Sequence, residues 1–194
     1  MSTNIILCGV GGQGTVLASK LVASAAMKAG SKVMSAETIG MAQKGGSVFS
    51  HLRVGDDTVS PMISKGEADL IIGFEPSETV RMLPYLREGG AVITAIRPVM
   101  PVTAALSGSS YNGTEMISYL KSCSRIGRLV TVDTDEAIRS IGNPKAMNMV
   151  LLGAASRAGL LGSITHEDII EAMKRKVKPQ FVEMNIKALE FAEV

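Results

Sequence analysis

Residues 5–8, Ile-Ile-Leu-Cys, form an unbroken apolar run that ends on Gly9, Gly11, Gly12 and Gly14, four glycines in six positions. Such a run predicts a strand covered on both faces, and the glycines predict a tight strand-to-helix turn. From Thr15 the period changes. Leu17, Leu21 and Ala25 recur every fourth residue, a helix stripe facing a sheet, as far as about residue 29. Gly30 supplies a left-handed cap. Residues 32–36 then read as a second strand, so 5–36 makes a βαβ unit. Farther on, the pattern becomes alternation. Val48, Ser50, Leu52 and Val54 share one face, and Phe49, His51 and Arg53 share the other. Gly55-Asp56-Asp57 is turn chemistry, and residues 58–63 can return as a partner strand, which predicts an inserted β-hairpin.

A second unbroken run, ADLIIGFE at 68–75, predicts another buried strand. Pro76 suits the first turn of a helix running to about residue 87; Gly89-Gly90 stops it, and 91–95 forms a strand. Residues 97–112 are loop-like, rich in Pro, Ser and Gly. A helix over 114–122 precedes a strand over 129–132, and a short helix over 133–140 is capped by Thr134. Asn143-Pro144 opens a helix over 145–158 that ends at Gly159. Thr165 and Asp168 open another in a capping-box arrangement, and Pro179 precedes a last helix near 181–192. No repeat or linker divides the chain. The expectation is one α/β domain over residues 1–194: Rossmann-like and doubly wound, with a mainly parallel sheet, an inserted hairpin and a helical C-terminal third.

Composition narrows the chemistry. With 46% hydrophobic and 20% charged residues the chain is globular. A net charge of +2 gives no ground for a nucleic-acid partner, and the basic run Lys174, Arg175, Lys176 and Lys178 reads as a solvated helix face. No apolar run reaches the roughly 18–20 residues of a membrane span. No signal-peptide pattern is present, and the two cysteines, Cys8 and Cys123, suit a reducing, cytoplasmic setting. Two thiols cannot supply the four thiolates of an ordinary iron–sulfur cluster, and adding His51 and His166 makes no zinc spacing.

Gly9, Gly11 and Gly14 match G-x-G-x-x-G, and the helix start beyond them favours an anion, with Thr15 adding a hydroxyl. A phosphate loop would need lysine and a hydroxyl where Thr15-Val16 stand. A dinucleotide loop fits better, with Glu37 placed 23 residues after Gly14 for a ribose. Against it, Gly12-Gln13 put a flexible glycine and a bulky amide between the last fingerprint glycines, and no hydride-transfer acid or base is visible. A third reading is that the glycines only let helix and strand pack. Gln13 can meet a carboxylate or phosphate, or brace its own loop. Gln43, Lys44, Gly45, Gly46 and Ser47 form a second flexible, cation-bearing loop, able to neutralise an anion or simply solvated. Asn148, one turn into its helix, either faces the glycine loop or lies on a polar surface. His51 and Arg53 are expected at an interface, Arg53 against a partner's carboxylates. Cys8 reads as a small buried hydrophobe.

GVGGQGTVLASKLVASAAMKAG at 9–30, joined to ETIGMAQKGGSVFSHLRVG at 37–55, resembles the gamma-type domain of the 2-oxoacid:ferredoxin oxidoreductases. Within that family the likeness is to the smaller, beta subunit of the indolepyruvate branch. It extends through NPKAMNMVLLGAA at 143–155 to the C-terminal helices. Lys44 departs mildly from the arginine expected in many relatives: charge is kept, planar bidentate recognition is not. The resemblance implies oxidative decarboxylation of an arylpyruvate, with coenzyme A as acyl acceptor and ferredoxin taking the electrons. It implies thiamine diphosphate, Mg and iron–sulfur clusters held by a larger alpha subunit, since this chain has neither the cluster cysteines nor a Gly-Asp-Gly segment followed by an Asn-rich stretch. This chain would bind none of them alone. It would complete the active site or the coenzyme A path through Gly9, Gly11, Gly12, Gln13, Gly14, Thr15, the loop Gln43 to Ser47, and Asn148. Twelve methionines and the hairpin edge suggest a homodimer when the chain is isolated. A free-standing Rossmann-type nucleotide-dependent oxidoreductase and a purely structural assembly subunit remain as alternatives.

Overall fold

A computed structural model describes residues 2–38, 45–100 and 110–191. Its strands are β1 (Thr3–Val10), β2 (Val33–Thr38), β3 (Ser47–Val54), β4 (Ala68–Gly73), β5 (Leu86–Ala95) and β6 (Ile126–Val132). They form one sheet in the order β2-β3-β1-β4-β5-β6. β3 runs antiparallel to both neighbours, while β1, β4, β5 and β6 are parallel. The doubly wound, mainly parallel α/β expectation holds.

The unbroken apolar run of β1 is explained by cover on both faces. Ile5 and Leu7 pack with the apolar face of α1 (Thr15–Lys28), whereas Ile6 and Cys8 join Ile63, Ile71 and Met82 on the other side. α1 buries Ala18, Leu21, Val22 and Ala25; Leu17 falls outside the expected stripe and is 39% exposed. The helix ends as expected at Gly30, φ +82°, where Gly30 N–H reaches Met27 O and Ser31 N–H reaches Ala26 O.

Helices α2 (Pro76–Met82) and α3 (Thr114–Ser122) belong to the face of β1 that carries Ile6 and Cys8. On the opposite face lie α4 (Thr134–Ile141), α5 (Met147–Arg157), α6 (His166–Lys176) and α7 (Val182–Glu190). Every residue of α5 from Met147 through Ser156 is buried. Gly153 makes this possible, because a Cβ there would collide with the Leu189 carbonyl of α7. Thr165 and Asp168 form the predicted capping box, and the basic run at 174–178 is exposed apart from Val177.

Several local expectations are corrected. The hairpin does not form: residues 58–63 are not a strand, because β1 and β2 already occupy both edges of β3. Side chains hold that segment instead. Ile63 N–H donates to His51 Nδ1 (3.1 Å), and Arg53 donates to the carbonyls of Ser60 (3.4 Å) and Met62 (3.3 Å) and to Asn4 Oδ1 (3.0 Å). These bonds tie His51 and Arg53 to their own chain, and the outermost strands of the sheet are β2 and β6. β3 also separates the two strands of the expected βαβ unit. α2 stops at Met82 and a 3₁₀ turn through Pro84 follows, so Gly89-Gly90 lie inside β5, at an irregularity in its pairing. β6 starts at Ile126 rather than 129. α4 is capped by Asp133, whose carboxylate accepts from the Asp135 and Glu136 N–H groups, not by Thr134. Asn143 caps a 3₁₀ turn, Pro144–Ala146, before α5 begins. Among the described residues no helix is long and apolar enough to cross a membrane.

His51 is 1% exposed, edge-on to the Phe49 and Tyr85 rings at 5.4 and 5.5 Å, and its Nε2 has no partner among the described residues. Burial lowers its pKa below the usual 6.5. The unfolded chain therefore takes up this proton first, so the stabilisation is complete above about pH 6.5 and is lost as pH falls below it. The melting temperature should drop between pH 7.5 and 5.5, and His51→Leu should flatten that slope. Equal slopes in a thermal-shift titration would contradict it.

Candidate functional site

The chain leaves β1 for a helix on one face and β4 for a helix on the other, so the crevice between their C-terminal ends is the sheet's switch point. The glycine loop borders it. Gly12 and Gly14 have left-handed φ of +104° and +86°. At Gly9 a Cβ would stand 2.6 Å from Gln13 Oε1 and 2.7 Å from Phe74 Cβ. Gln13 spans the crevice: Oε1 accepts from Val10 N–H (2.7 Å), and Nε2 donates to the Phe74 carbonyl (2.9 Å). Of its two readings, the brace is the one the structure displays.

The second loop meets the first. Gly11 N–H donates to Gly46 O (2.8 Å) and Gly45 N–H to Gly11 O (3.5 Å), which continues the β1–β3 ladder past Val10 and Ser47. Ser47 turns toward α2, donating to Glu78 Oε2 at 2.5 Å, with Arg81 Nε 3.4 Å from the same oxygen. Gln43 and Lys44 lie outside the described residues.

Beside Gly14 opens a cleft of about 680 Å³. Gly12, Gln13, Gly14 and Asn148 line it, as the sequence anticipated; Leu17, Arg97, Val99 and Lys145 line it unanticipated. Gly45, Gly46 and Ser47 are not in its lining, and Thr15 is buried behind the loop. Asn148 is 4% exposed and faces the glycine loop: its Oδ1 accepts from Met149 N–H (2.9 Å), and its Nδ2 would stand 2.6 Å from a Cβ on Gly14. α1 starts there with no side-chain cap and no acidic residue in its first turn. Its free N–H groups, Asn148, Lys145 and Arg97 (3.1 Å from Asp135) make one end of the cleft receptive to an anion. Leu17, Val99 and Met147 offer apolar surface to the remainder of a ligand. The missed residues had a topological signal: Arg97 follows the carboxyl end of a parallel strand, where such folds bind ligands.

Other candidates fare differently. Glu37 lies on β2, two strand spacings from β1 or roughly 10 Å, because β3 intervenes; that is too far for the ribose role in a dinucleotide site. Cys8 is fully buried, and burial, reinforced by the charge of Glu78, pushes its thiol pKa up, which leaves it inert. Among the described residues no group of His, Cys, Asp or Glu is arranged to hold a metal ion.

A doubly wound α/β domain with a braced glycine loop and an anion-receptive cleft describes a class broader than one family. Family membership is specific: the chain belongs to the pyruvate ferredoxin/flavodoxin oxidoreductase family, whose model matches residues 4–192. It is 36% identical over 187 residues to the indolepyruvate oxidoreductase subunit IorB of Pyrococcus horikoshii, covering 96% of this chain and 92% of that one. Two solved structures share the fold. The gamma subunit of a keto/oxoacid ferredoxin oxidoreductase from Geobacter sulfurreducens PCA superposes with a TM-score of 0.67 at 21% identity, over 97% of this chain and 94% of that one. The 2-oxoglutarate:ferredoxin oxidoreductase of Magnetococcus marinus, solved with 2-oxoglutarate, coenzyme A and succinyl-CoA bound, gives 0.73 at 18% identity. There the match covers 98% of this chain but 30% of that one.

Gly14→Ala should destabilise the chain by about 1–3 kcal/mol, since it combines left-handed strain with a clash on Asn148. Adding Asn148→Ala should relieve the clash but not the strain. Urea unfolding of the two single variants and the double variant checks this, and a Gly14→Ala variant as stable as the parent contradicts it.

Proposed function

We propose that this chain is the small, beta-type subunit of an indolepyruvate (2-oxoacid) ferredoxin oxidoreductase, required but inactive alone. What carries the reading is the extent of the match: identity to an indolepyruvate oxidoreductase subunit runs along nearly the full length of both chains. A larger subunit would hold thiamine diphosphate, Mg and the iron–sulfur clusters, because two cysteines cannot supply the four thiolates of an ordinary cluster. The assembled enzyme would decarboxylate an arylpyruvate, pass two electrons to ferredoxin and transfer the acyl group to coenzyme A. In it thiamine diphosphate would supply the electron sink for decarboxylation. The setting is cytoplasmic, in keeping with the free thiols.

This chain's share is binding and orientation. The apolar wall and anion-receptive end of the cleft match the mixed character of coenzyme A, an apolar arm ending in phosphates. The Magnetococcus marinus enzyme, whose fold this chain shares, was solved with coenzyme A bound. The likeness of the Gln43 to Ser47 segment to the family supports a role for Lys44 in neutralising the 2-oxoacid or coenzyme A. A second reading, a pure assembly subunit, is favoured by the use of both ends of the Gln13 amide inside the domain.

The purified chain should be colourless and silent, and mixing it with the cognate large subunit should produce coenzyme A-dependent viologen reduction with indolepyruvate. Turnover by the chain alone would overturn the proposal. Lys44→Ala should leave the complex assembled in size-exclusion chromatography yet lower kcat/KM about ten- to a hundredfold, the loss of one charge-assisted contact. Lys44→Arg should restore most of it. Normal kinetics for Lys44→Ala in an intact complex would assign that loop to packing.

A further inference from the structure

Glu75, at the carboxyl end of β4, is 0% exposed. Its Oε2 accepts from the Ser77 hydroxyl (2.6 Å) and Glu78 N–H (3.0 Å), which caps α2. Its Oε1 points elsewhere, accepting from the Tyr111 hydroxyl (2.6 Å) and Val99 N–H (3.4 Å). The Tyr111 oxygen in turn accepts from Ser77 N–H at 3.2 Å. Thus Val99, leaving β5, and Tyr111, returning toward α3, converge on one oxygen atom of a buried side chain. Gly113 closes the junction, since a Cβ there would lie 3.2 Å from Pro98 Cβ and 3.4 Å from Pro76 Cγ.

Capping alone does not call for this arrangement. Asp and Ser are the preferred caps, and Asp133 caps α4 of this same chain through one oxygen. A buried carboxylate is costly unless its oxygens are satisfied, and the longer glutamate carries its second oxygen out to the loop. Residues 97–100 there form one wall of the cleft. Val99 lines the cleft, and Pro98, with its fixed φ, links it stiffly to Arg97, the cation on that wall.

We infer that Glu75 and Tyr111 are positioning residues: the Tyr111 hydroxyl fixes the Glu75 oxygen that accepts from Val99 N–H, and this holds the Arg97 wall at the spacing an anionic ligand requires. This rests on the cleft being the coenzyme A site. Neither residue touches the ligand; both act through Val99. Burial, then the bond to Glu75, raises the Tyr111 pKa to about 12, so its hydroxyl remains a donor across the working pH range.

The test is Tyr111→Phe in the complex reconstituted with the large subunit, beside Lys145→Ala, which removes a cation from the cleft without touching the clamp. Hydrogen exchange at residues 97–100, read without coenzyme A, should accelerate in Tyr111→Phe while α5 is unchanged. The KM for coenzyme A should rise roughly tenfold, with kcat and the KM for the 2-oxoacid unaltered. Unchanged exchange at 97–100 would overturn the inference. So would faster exchange with an unchanged KM, if Lys145→Ala raises that KM; the cleft assignment would then stand without the clamp. If neither variant alters the KM for coenzyme A, the cleft assignment itself fails and takes the inference with it.

Discussion

The Gln13 amide closes the crevice between β1 and β4, and the glycine loop is built around it. Its oxygen holds Val10 N–H and its nitrogen holds the Phe74 carbonyl, two strand-end groups that would otherwise lack these partners. Each such bond contributes about 1 kcal/mol net, and an unmade one in a buried setting costs about 1–3 kcal/mol. Gly9 is glycine because the same amide and Phe74 occupy the space a Cβ would need. A loop that looks arranged for a pyrophosphate is arranged in part for one of its own side chains. The anion-receptive ground lies beside it, where Gly14, Asn148 and the start of α1 meet.

The antiparallel β3 has consequences at both ends of the sheet. By pairing between β1 and β2 it moves Glu37 away from the glycine loop and extends the ladder from Val10 and Ser47 to Gly11 and Gly46. The two glycine loops are consequently one backbone-linked unit, and a disturbance of either reaches the other. At the opposite end the same insertion leaves residues 58–63 without an edge, so His51 and Arg53 act as internal ties.

Legibility in the sequence followed the range of the interactions. Apolar runs covered on both faces marked β1 and β4, and local capping chemistry marked the 3₁₀ turn at Asn143 that leads into α5 and the start of α6 at Thr165. Alternation at 48–54 sorted the faces of β3 correctly, with Leu52 and Val54 opposite Phe49 and His51. Alternation does not encode which edge a strand presents to which neighbour, so the hairpin was misplaced. Part of the cleft was readable because Gly12, Gln13, Gly14 and Asn148 stand in distinctive local motifs. Arg97 and Lys145 come from separate loops and are joined only by topology. Glu75 ended an apolar run with nothing local to show that its partners would be Val99 and Tyr111, 24 and 36 residues away.

The central claim, that the cleft beside Gly14 receives the anionic end of coenzyme A, is tested most directly by calorimetry on the assembled complex with Asn148→Asp. This change keeps the side chain's shape and the Oδ1 bond to Met149 N–H, and replaces the donor over Gly14 with a negative oxygen. Coenzyme A affinity should fall roughly ten- to a hundredfold while 2-oxoacid affinity holds. Equal coenzyme A affinities for the two complexes would contradict the account.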